Sequence, residues 1–366
     1  MIKNQKRIIY LDLMRTFAVL MMVQGHTIDT FLANEYRTFD SVIYSTWYIF
    51  RGFTAPIFMF TAGVVFTYLL KINKFTFQAN SRIKKGIKRA FLLILIGYLL
   101  RYPTYRIFNF EFVSDAQWRT FFSVDALHLI GFGLLTIVGI VYLSKKIRIK
   151  FPVILFSLIS LVLLFAPIVA TINWLNYFPE VIAAYLYKNT GSHFPLFPWL
   201  IYVLAGSMLG YYLSVRENIY LKKRFAFNLS SIGFGLVSVS MLVSYLNSLP
   251  FEEPSIWLST VSLISLRLGY VILLNGVMAF AVRTLDHIPS LVNEMGKKTL
   301  SLYVLHLIML YGCAFFPGLN YYFGRTFNLN YTLIAALAMI SLMILIVFLS
   351  NKLYTIGKRK LALTKI

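Results

Sequence analysis

Apolar runs of bilayer-crossing length, separated by short polar connections, recur along nearly the whole chain. A helix needs about 20 mostly apolar residues to traverse a hydrocarbon core of about 30 Å. Ten such spans are expected, near 9–31, 48–70, 86–104, 122–144, 151–173, 194–215, 226–248, 257–282, 299–318 and 331–353. Only 13% of the 366 residues are charged, about half the share found in soluble domains. The fold class that follows is an all-α polytopic membrane protein. Because most connections are short, the spans should be antiparallel neighbours in one bundle, a single transmembrane domain over residues 1–366.

A net charge of +22 could suit a nucleic-acid partner, but the positions of the cations speak against one. With the N-terminus taken as cytoplasmic, 26 of the 35 Lys and Arg fall in cytoplasmic segments and 6 in external ones. Arg15, Arg51 and Arg267 lie inside or at the edge of spans. Such loop asymmetry sets the orientation of a membrane protein, so the basicity reads as topology, with both termini cytoplasmic. The first apolar run is too long and too charged for a cleavable leader and should stay attached. Cys313 is the lone cysteine, which leaves no disulfide and no cysteine-based metal site.

Two connections are long. The segment "KINKFTFQANSRIKKGIKR" (71–89) reads as a cytoplasmic loop, with Arg82, Lys84, Lys85, Lys88 and Arg89 inside eight residues. The external segment 173–199 contains an amphipathic piece at 179–188, too short to span and expected at the outer interface.

The chemistry concentrates in "LDLMRTFAVLMMVQGHTID", residues 11–29. Asp12, Arg15, Val19, Met22, His26 and Asp29 follow steps of 3 and 4 and therefore share one helical face. A charge at mid-bilayer costs about 3 kcal/mol or more, so such groups face a bundle interior and find partners. Asp12 and Arg15 can form an ion pair within the helix. His26, with Asp29 one turn away, has the makings of a general base. Asp125 and His128 repeat the same spacing at the start of the fourth span, and Arg51 opens the second. His193 reads as a solvated loop histidine. Deeper lie Tyr303, His306 and Arg267, the last needing a carboxylate, backbone carbonyls or an anion beside it. No dense ligand spacing such as HExxH is present, so no metal is expected.

Six pieces in order, "YLDLMRTFAVLMMVQGH", "FTAPIFMFTAGVVF", "RIKKGIKRAFLLILIGYLLRYP", "VDALHLIGFGLL", "FPLFPWLIYVLAGSMLGYYL" and "LSLYVLHLIML", resemble the heparan-α-glucosaminide N-acetyltransferase-like transmembrane acyltransferases. The large soluble N-terminal region of the lysosomal animal enzyme is missing, which resembles a bacterial catalytic unit of the cytoplasmic (inner) membrane. The resemblance implies transfer of an acetyl group from cytoplasmic acetyl-CoA to a hydroxyl or amine of an extracytoplasmic glycan or lipid head group. It also allows a homodimer.

In that reading His26 is the base, Asp29 or Asp125 steadies its imidazolium, and Arg51 or His128 stabilises the oxyanion. Arg82, Lys84, Lys85, Lys88 and Arg89 hold the CoA phosphates, with Asp12, Arg15 and Arg267 also facing the donor. One departure stands out: the animal enzyme has Asn at the position matching His26 and a histidine in the loop that follows. Here that loop, "TFLANEYRTFD", has none, whereas bacterial relatives place a histidine at the end of this span. A competing class is a secondary transporter or lipid flippase using the same intramembrane Asp, His and Arg groups. A non-catalytic sensor or scaffold would leave the buried charges unexplained.

Overall fold

The computed structural model describes residues 8–104, 108–216, 218–249, 254–285 and 288–363, with side chains up to 353. Of the loop cations, Lys3, Lys6, Arg7, Arg106 and Lys365 lie outside the described residues. The elements are, in order, α1 (Ile9–Phe31), α2 (Val42–Arg51), α3 (Thr54–Leu70), α4 (Ser81–Leu100) and α5 (Asp115–Phe122). Then come α6 (Ala126–Lys146), α7 (Phe151–Thr171), α8 (Glu180–Ala183), α9 (Leu196–Val215) and α10 (Lys223–Asn247). The last are α11 (Ile256–Thr284), α12 (Ser290–Lys297), α13 (Thr299–Tyr311), α14 (Leu319–Phe323) and α15 (Leu329–Leu363). The strands among the described residues are two-residue pieces, Gly312–Cys313 and Phe316–Pro317.

The protein is thus a helical membrane protein. Among the described residues, seven helical stretches are long and apolar enough to cross a bilayer. They are Val42–Leu70, Asp115–Lys146, Phe151–Thr171, Leu196–Val215, Lys223–Asn247, Ile256–Thr284 and Leu329–Leu353. Three of the ten expected spans fall short of that measure, each for its own reason. Helix α1 carries the ionisable stripe, α4 opens on a run of cations, and α13 has only 13 residues. Gly312 ends α13 at φ +87°, a backbone region that favours glycine.

Other expectations shift locally. The second span starts at Val42 rather than near 48, and α2 stops at Arg51 before α3 resumes at Thr54. The basic cluster is not a loop. Asn80 caps α4 by accepting the Arg82 N–H, so Arg82, Lys84, Lys85, Lys88 and Arg89 stand on its exposed face, with Ile83, Gly86 and Ala90 buried opposite. Of the amphipathic piece at 179–188, only the turn Glu180–Ala183 is α-helical.

Contacts group the chain into two compact units. The first holds α1, α2 and α12–α15, with α1 packed against α12, α13 and α15. Val19, Val23 and Phe31 of α1 meet Met295, Leu302, Leu310, Met339, Met343 and Val347 in one apolar cluster. The Thr16 hydroxyl donates to Val292 O at 2.7 Å. Gly296 lets α12 approach the backbone of Asp12 so closely that a Cβ there would lie 2.7 Å from Asp12 O.

The second unit holds α3–α11, with α4 against α6 and α9 against both α6 and α7. Helices α3 and α9 touch through their backbones. A Cβ on Gly63 would run into Val203 O, and Cβ atoms on Gly206 and Gly210 would run into Phe60 O and Val64 O. Gly206 and Gly210 form a G-x-x-x-G pair, the spacing that lets helices approach closely in lipid. The Thr67 and Ser207 hydroxyls bond across the same contact at 2.5 Å.

Candidate active site

In the first unit α1 is buried on several sides, the face opposite the stripe included, with Tyr10, Met14 and Ile28 buried there. Asp12, Val19 and Met22 are buried, and Arg15, His26 and Asp29 are half-buried. Asp12 and Arg15 pair at 3.9 Å, as their spacing allows. At the other end, Asp29 carries two guanidinium partners: Arg51 directly, and Arg37 at 3.9 Å. Arg51 is also flanked by Trp47, whose ring centroid is 5.6 Å away, and the Trp47 indole donates to Gln24 at 3.0 Å. These contacts dock α2 onto α1.

The carbonyls at the end of a helix lack partners within it. In α1 they are satisfied from two directions. Arg37 donates from Nε to Leu32 O at 2.9 Å and from Nη2 to Asp29 O at 2.6 Å. The turn and short segment before α15 add N–H groups: Arg325 to Thr30 O at 2.8 Å and Phe327 to Phe31 O at 2.9 Å. This pairing places Arg325 beside the end of α1, 296 positions from Asp29 in sequence. Cations at a helix C-terminus also oppose its negative dipole end.

A cavity of about 590 Å³ opens here, lined by Asp29, Thr30, Arg37, Arg51, Tyr311, Asn320, Gly324 and Arg325. All of these residues belong to the first unit. Tyr311 links the cavity to His26, its hydroxyl lying 3.5 Å from His26 Nδ1. His306 lies on the other side, with ring centroids 5.5 Å apart. Its Nδ1–H donates to Leu302 O at 2.8 Å, which leaves Nε2 as the basic nitrogen. That atom is buried and has no partner among the described residues.

The second unit builds a separate Asp–His pair. Asp125 caps α6, accepting from Leu127 N at 2.8 Å and His128 N at 3.1 Å. Its Oδ1 also lies 2.8 Å from His128 Nδ1. The Asp125 backbone N–H meets the same Nδ1 at 3.2 Å, closing a capping box that fixes the ring in place. Nε2 is likewise buried and unpartnered among the described residues. Arg101 stands 3.8 Å from Asp125 Oδ2 and donates to Ser123 Oγ. Tyr98 covers the imidazole edge-on, with centroids 4.3 Å apart, and its hydroxyl meets that of Tyr185 at 3.3 Å. Tyr185 lies outside the spans, and burial is the main cause that pushes its phenol pKa well above the ordinary tyrosine range. Tyr185 therefore stays a neutral hydroxyl at any working pH. The segment 190–194 closes this region, Ser192 Oγ accepting from Val124 N at 2.9 Å and His193 N donating to Val124 O at 3.1 Å. The His193 side chain is exposed.

Arg267 finds a partner the sequence did not suggest. Its guanidinium sits over Trp199, 4.9 Å from the ring centroid, and hydrogen-bonds Tyr202. An aromatic face with a phenol oxygen thus takes the place of a carboxylate or carbonyl.

Sequence spacing therefore found Asp12–Arg15 and Asp125–His128, both local pairs. It missed Arg37, Tyr311, Asn320 and Arg325 around the cavity, and Arg101, Tyr98 and Tyr185 around His128. Arg37, Arg101 and Arg325 did carry a signal: they are three of the few cations in the segments read as external. Among the described residues, no cluster of three or more His, Cys, Asp or Glu could hold a metal ion.

No curated protein and no solved structure matches the chain. A family model does, described as heparan-α-glucosaminide N-acetyltransferase, catalytic, over residues 7–250. The matched region contains the whole α1 stripe, Arg51, the α4 cations and the Asp125–His128 pair, and stops short of Tyr303, His306, Tyr311 and Arg325. Two thirds of the chain lies inside it, so the chain belongs to the heparan-α-glucosaminide N-acetyltransferase catalytic family, a family of membrane acetyltransferases.

Proposed function

We propose that this protein moves an acetyl group from cytoplasmic acetyl-CoA to a hydroxyl or amine of an extracytoplasmic glycan or lipid head group, with His26 as general base. The observation that carries the reading is the setting of His26: half-buried on α1, and joined through Tyr311 to a polar cavity. A base needs access to the acceptor proton and shelter from bulk water, and this position offers both.

In the proposed step, His26 takes the proton from the acceptor O–H or N–H as that atom attacks the thioester carbonyl. The C–S bond then breaks, and the leaving CoA thiolate takes the proton that His26 holds, which returns the histidine to its base form. Arg51, held in place by Asp29 and Trp47, is the candidate donor to the transient oxyanion. The exposed cations of α4 are the candidate partners of the CoA phosphates. Asp12–Arg15 and Arg267 are kept as further donor-facing groups. The Asp125–His128 pair, in contact at 2.8 Å, is the next candidate for the role of base. We place the ten spans, with both termini cytoplasmic, in a bacterial inner membrane. Family membership weighs for transfer over transport.

The test uses the purified full chain. Acetyl-CoA should raise its melting temperature, and His26→Ala should abolish acetyl transfer to added acceptor glycans while keeping that stabilisation. Turnover retained by His26→Ala would move the base to His128. No stabilisation by any acyl-CoA would favour the transporter class.

A further inference from the structure

The cavity at the end of α1 has a charge imbalance that the transfer chemistry does not use. Its lining contains three guanidinium groups and one carboxylate. Asp29 contacts Arg51 directly and lies 3.9 Å from Arg37, and its one negative charge offsets one of the three positive. An excess of two positive charges is left on the lining, where Arg37 and Arg325 converge. Arg37 spends two of its N–H groups on the Leu32 and Asp29 carbonyls, and Arg325 reaches Asn34 Oδ1 at 3.4 Å. Both thus keep N–H groups for a ligand, since a guanidinium has five. Asn320 adds an amide on the same wall.

Two like charges brought together repel unless an anion sits between them. The fold imposes this convergence through the backbone: Arg325 N–H is bonded to Thr30 O, and Arg37 is tied to the last turn of the same helix. The geometry is thus fixed before any ligand arrives. An excess of two positive charges matches a phosphate monoester, which carries about −1.5 to −2 near neutral pH and offers three acceptor oxygens. A carboxylate or a sulfate ester, each −1, would leave a net positive charge behind. Arginine is the residue suited to bidentate contact with phosphate oxygens.

We infer that Arg37 and Arg325, with Asn320, form a subsite for a phosphate monoester on the acceptor, carried by a soluble sugar phosphate or by a lipid whose head group ends in a phosphate monoester. The inference rests on the acyl-transfer reading only in calling the ligand an acceptor. The subsite itself stands on the cavity and its charges.

Methyl phosphate, methyl sulfate and acetate, at matched ionic strength, distinguish the anion by charge with little change in size. Methyl phosphate at about ten times its apparent Kd should raise the melting temperature of the detergent-solubilised chain by about 2–4 °C. Methyl sulfate and acetate should do clearly less. Arg325→Gln should lose the shift, and Arg325→Lys should recover part of it. Arg37→Lys, which keeps a cation at the helix end, should weaken it.

Equal shifts with all three anions would overturn the phosphate assignment. No shift with methyl phosphate, or a shift unchanged in Arg325→Gln, would overturn the subsite. Nanodiscs containing phosphatidic acid in place of phosphatidylcholine identify the source: if they abolish the added effect of methyl phosphate, the ligand is a lipid head group, and otherwise a soluble sugar phosphate. Acetyl-CoA stabilisation is measured in parallel on wild type and Arg325→Gln. A protein stabilised by methyl phosphate but by no acyl-CoA keeps the subsite and loses the transfer reading, and the reverse pattern loses the subsite alone.

Discussion

Gly97 of α4 faces the His128 imidazole so closely that adding one methyl group should uncouple the Asp125–His128 pair. A Cβ at position 97 would lie 2.5 Å from Cε1, 2.7 Å from Nδ1 and 2.8 Å from Nε2 of His128. The ring cannot retreat easily. It is fully buried, held at 2.8 Å by Asp125 and covered by Tyr98. Overpacking of this kind costs about 1–3 kcal/mol. Loss of the charge-assisted contact between Nδ1 and Asp125 adds about 1.5–3 kcal/mol. Alanine returns about 1 kcal/mol through its better helix propensity. Gly97→Ala should therefore destabilise the protein by about 1.5–5 kcal/mol.

In a His128→Ala background the ring is gone, and the same change should instead stabilise by up to about 1 kcal/mol. The double-mutant cycle is measured by unfolding in mixed micelles titrated with SDS, followed by tryptophan fluorescence. The change of sign is the discriminating result. Equal effects of Gly97→Ala in the two backgrounds would refute the packing argument, and a stabilising effect in wild type would refute it outright.

Further outcomes are open to measurement. Neutralising Lys84, Lys85, Lys88 and Arg89 together to Gln should weaken acetyl-CoA binding at least about tenfold and flatten its salt dependence, read by isothermal titration. Gly206→Leu should be severely destabilising, because the backbone of α3 at Phe60 occupies the space of its side chain. Gly139→Ala, with nothing within 4 Å of a Cβ there, should be neutral or gain up to about 1 kcal/mol. Trp199→Leu should remove the surface under Arg267 and cost about 0.5–2 kcal/mol in the same unfolding assay.

Much of the fold was legible because the bilayer restricts what a chain can do. With no water to pair backbone groups, an apolar run of about 20 residues becomes a helix. Local chemistry was legible for a related reason. Asp12–Arg15 and Asp125–His128 lie one turn apart, so helical geometry alone brings each pair into contact. The basic segment 71–89 read as a loop because charge density was the visible signal. The Asn80 cap and the buried face of Ile83, Gly86 and Ala90 make the part from Ser81 onward, with its cations, helical instead. Arg267 was expected to need an oxygen-rich partner, but a cation over an indole is equally well accommodated, and no spacing rule announces which aromatic will arrive.

The amino-acid sequence on its own determined the class of the molecule, the alignment of the α1 stripe on one helical face and the two short-range pairs. These depend on periodicity and composition, which act over a few residues. Tertiary structure alone decided which groups surround His26 and which close the end of α1. His306 and Tyr311 reach the histidine from 280 and 285 positions away, and Arg325 arrives through backbone bonds to Thr30 and its neighbours. The physical reason is that a helix end has carbonyls to satisfy but does not specify who satisfies them. The segment that packs there brings its own side chains along, and in this protein it brought an arginine.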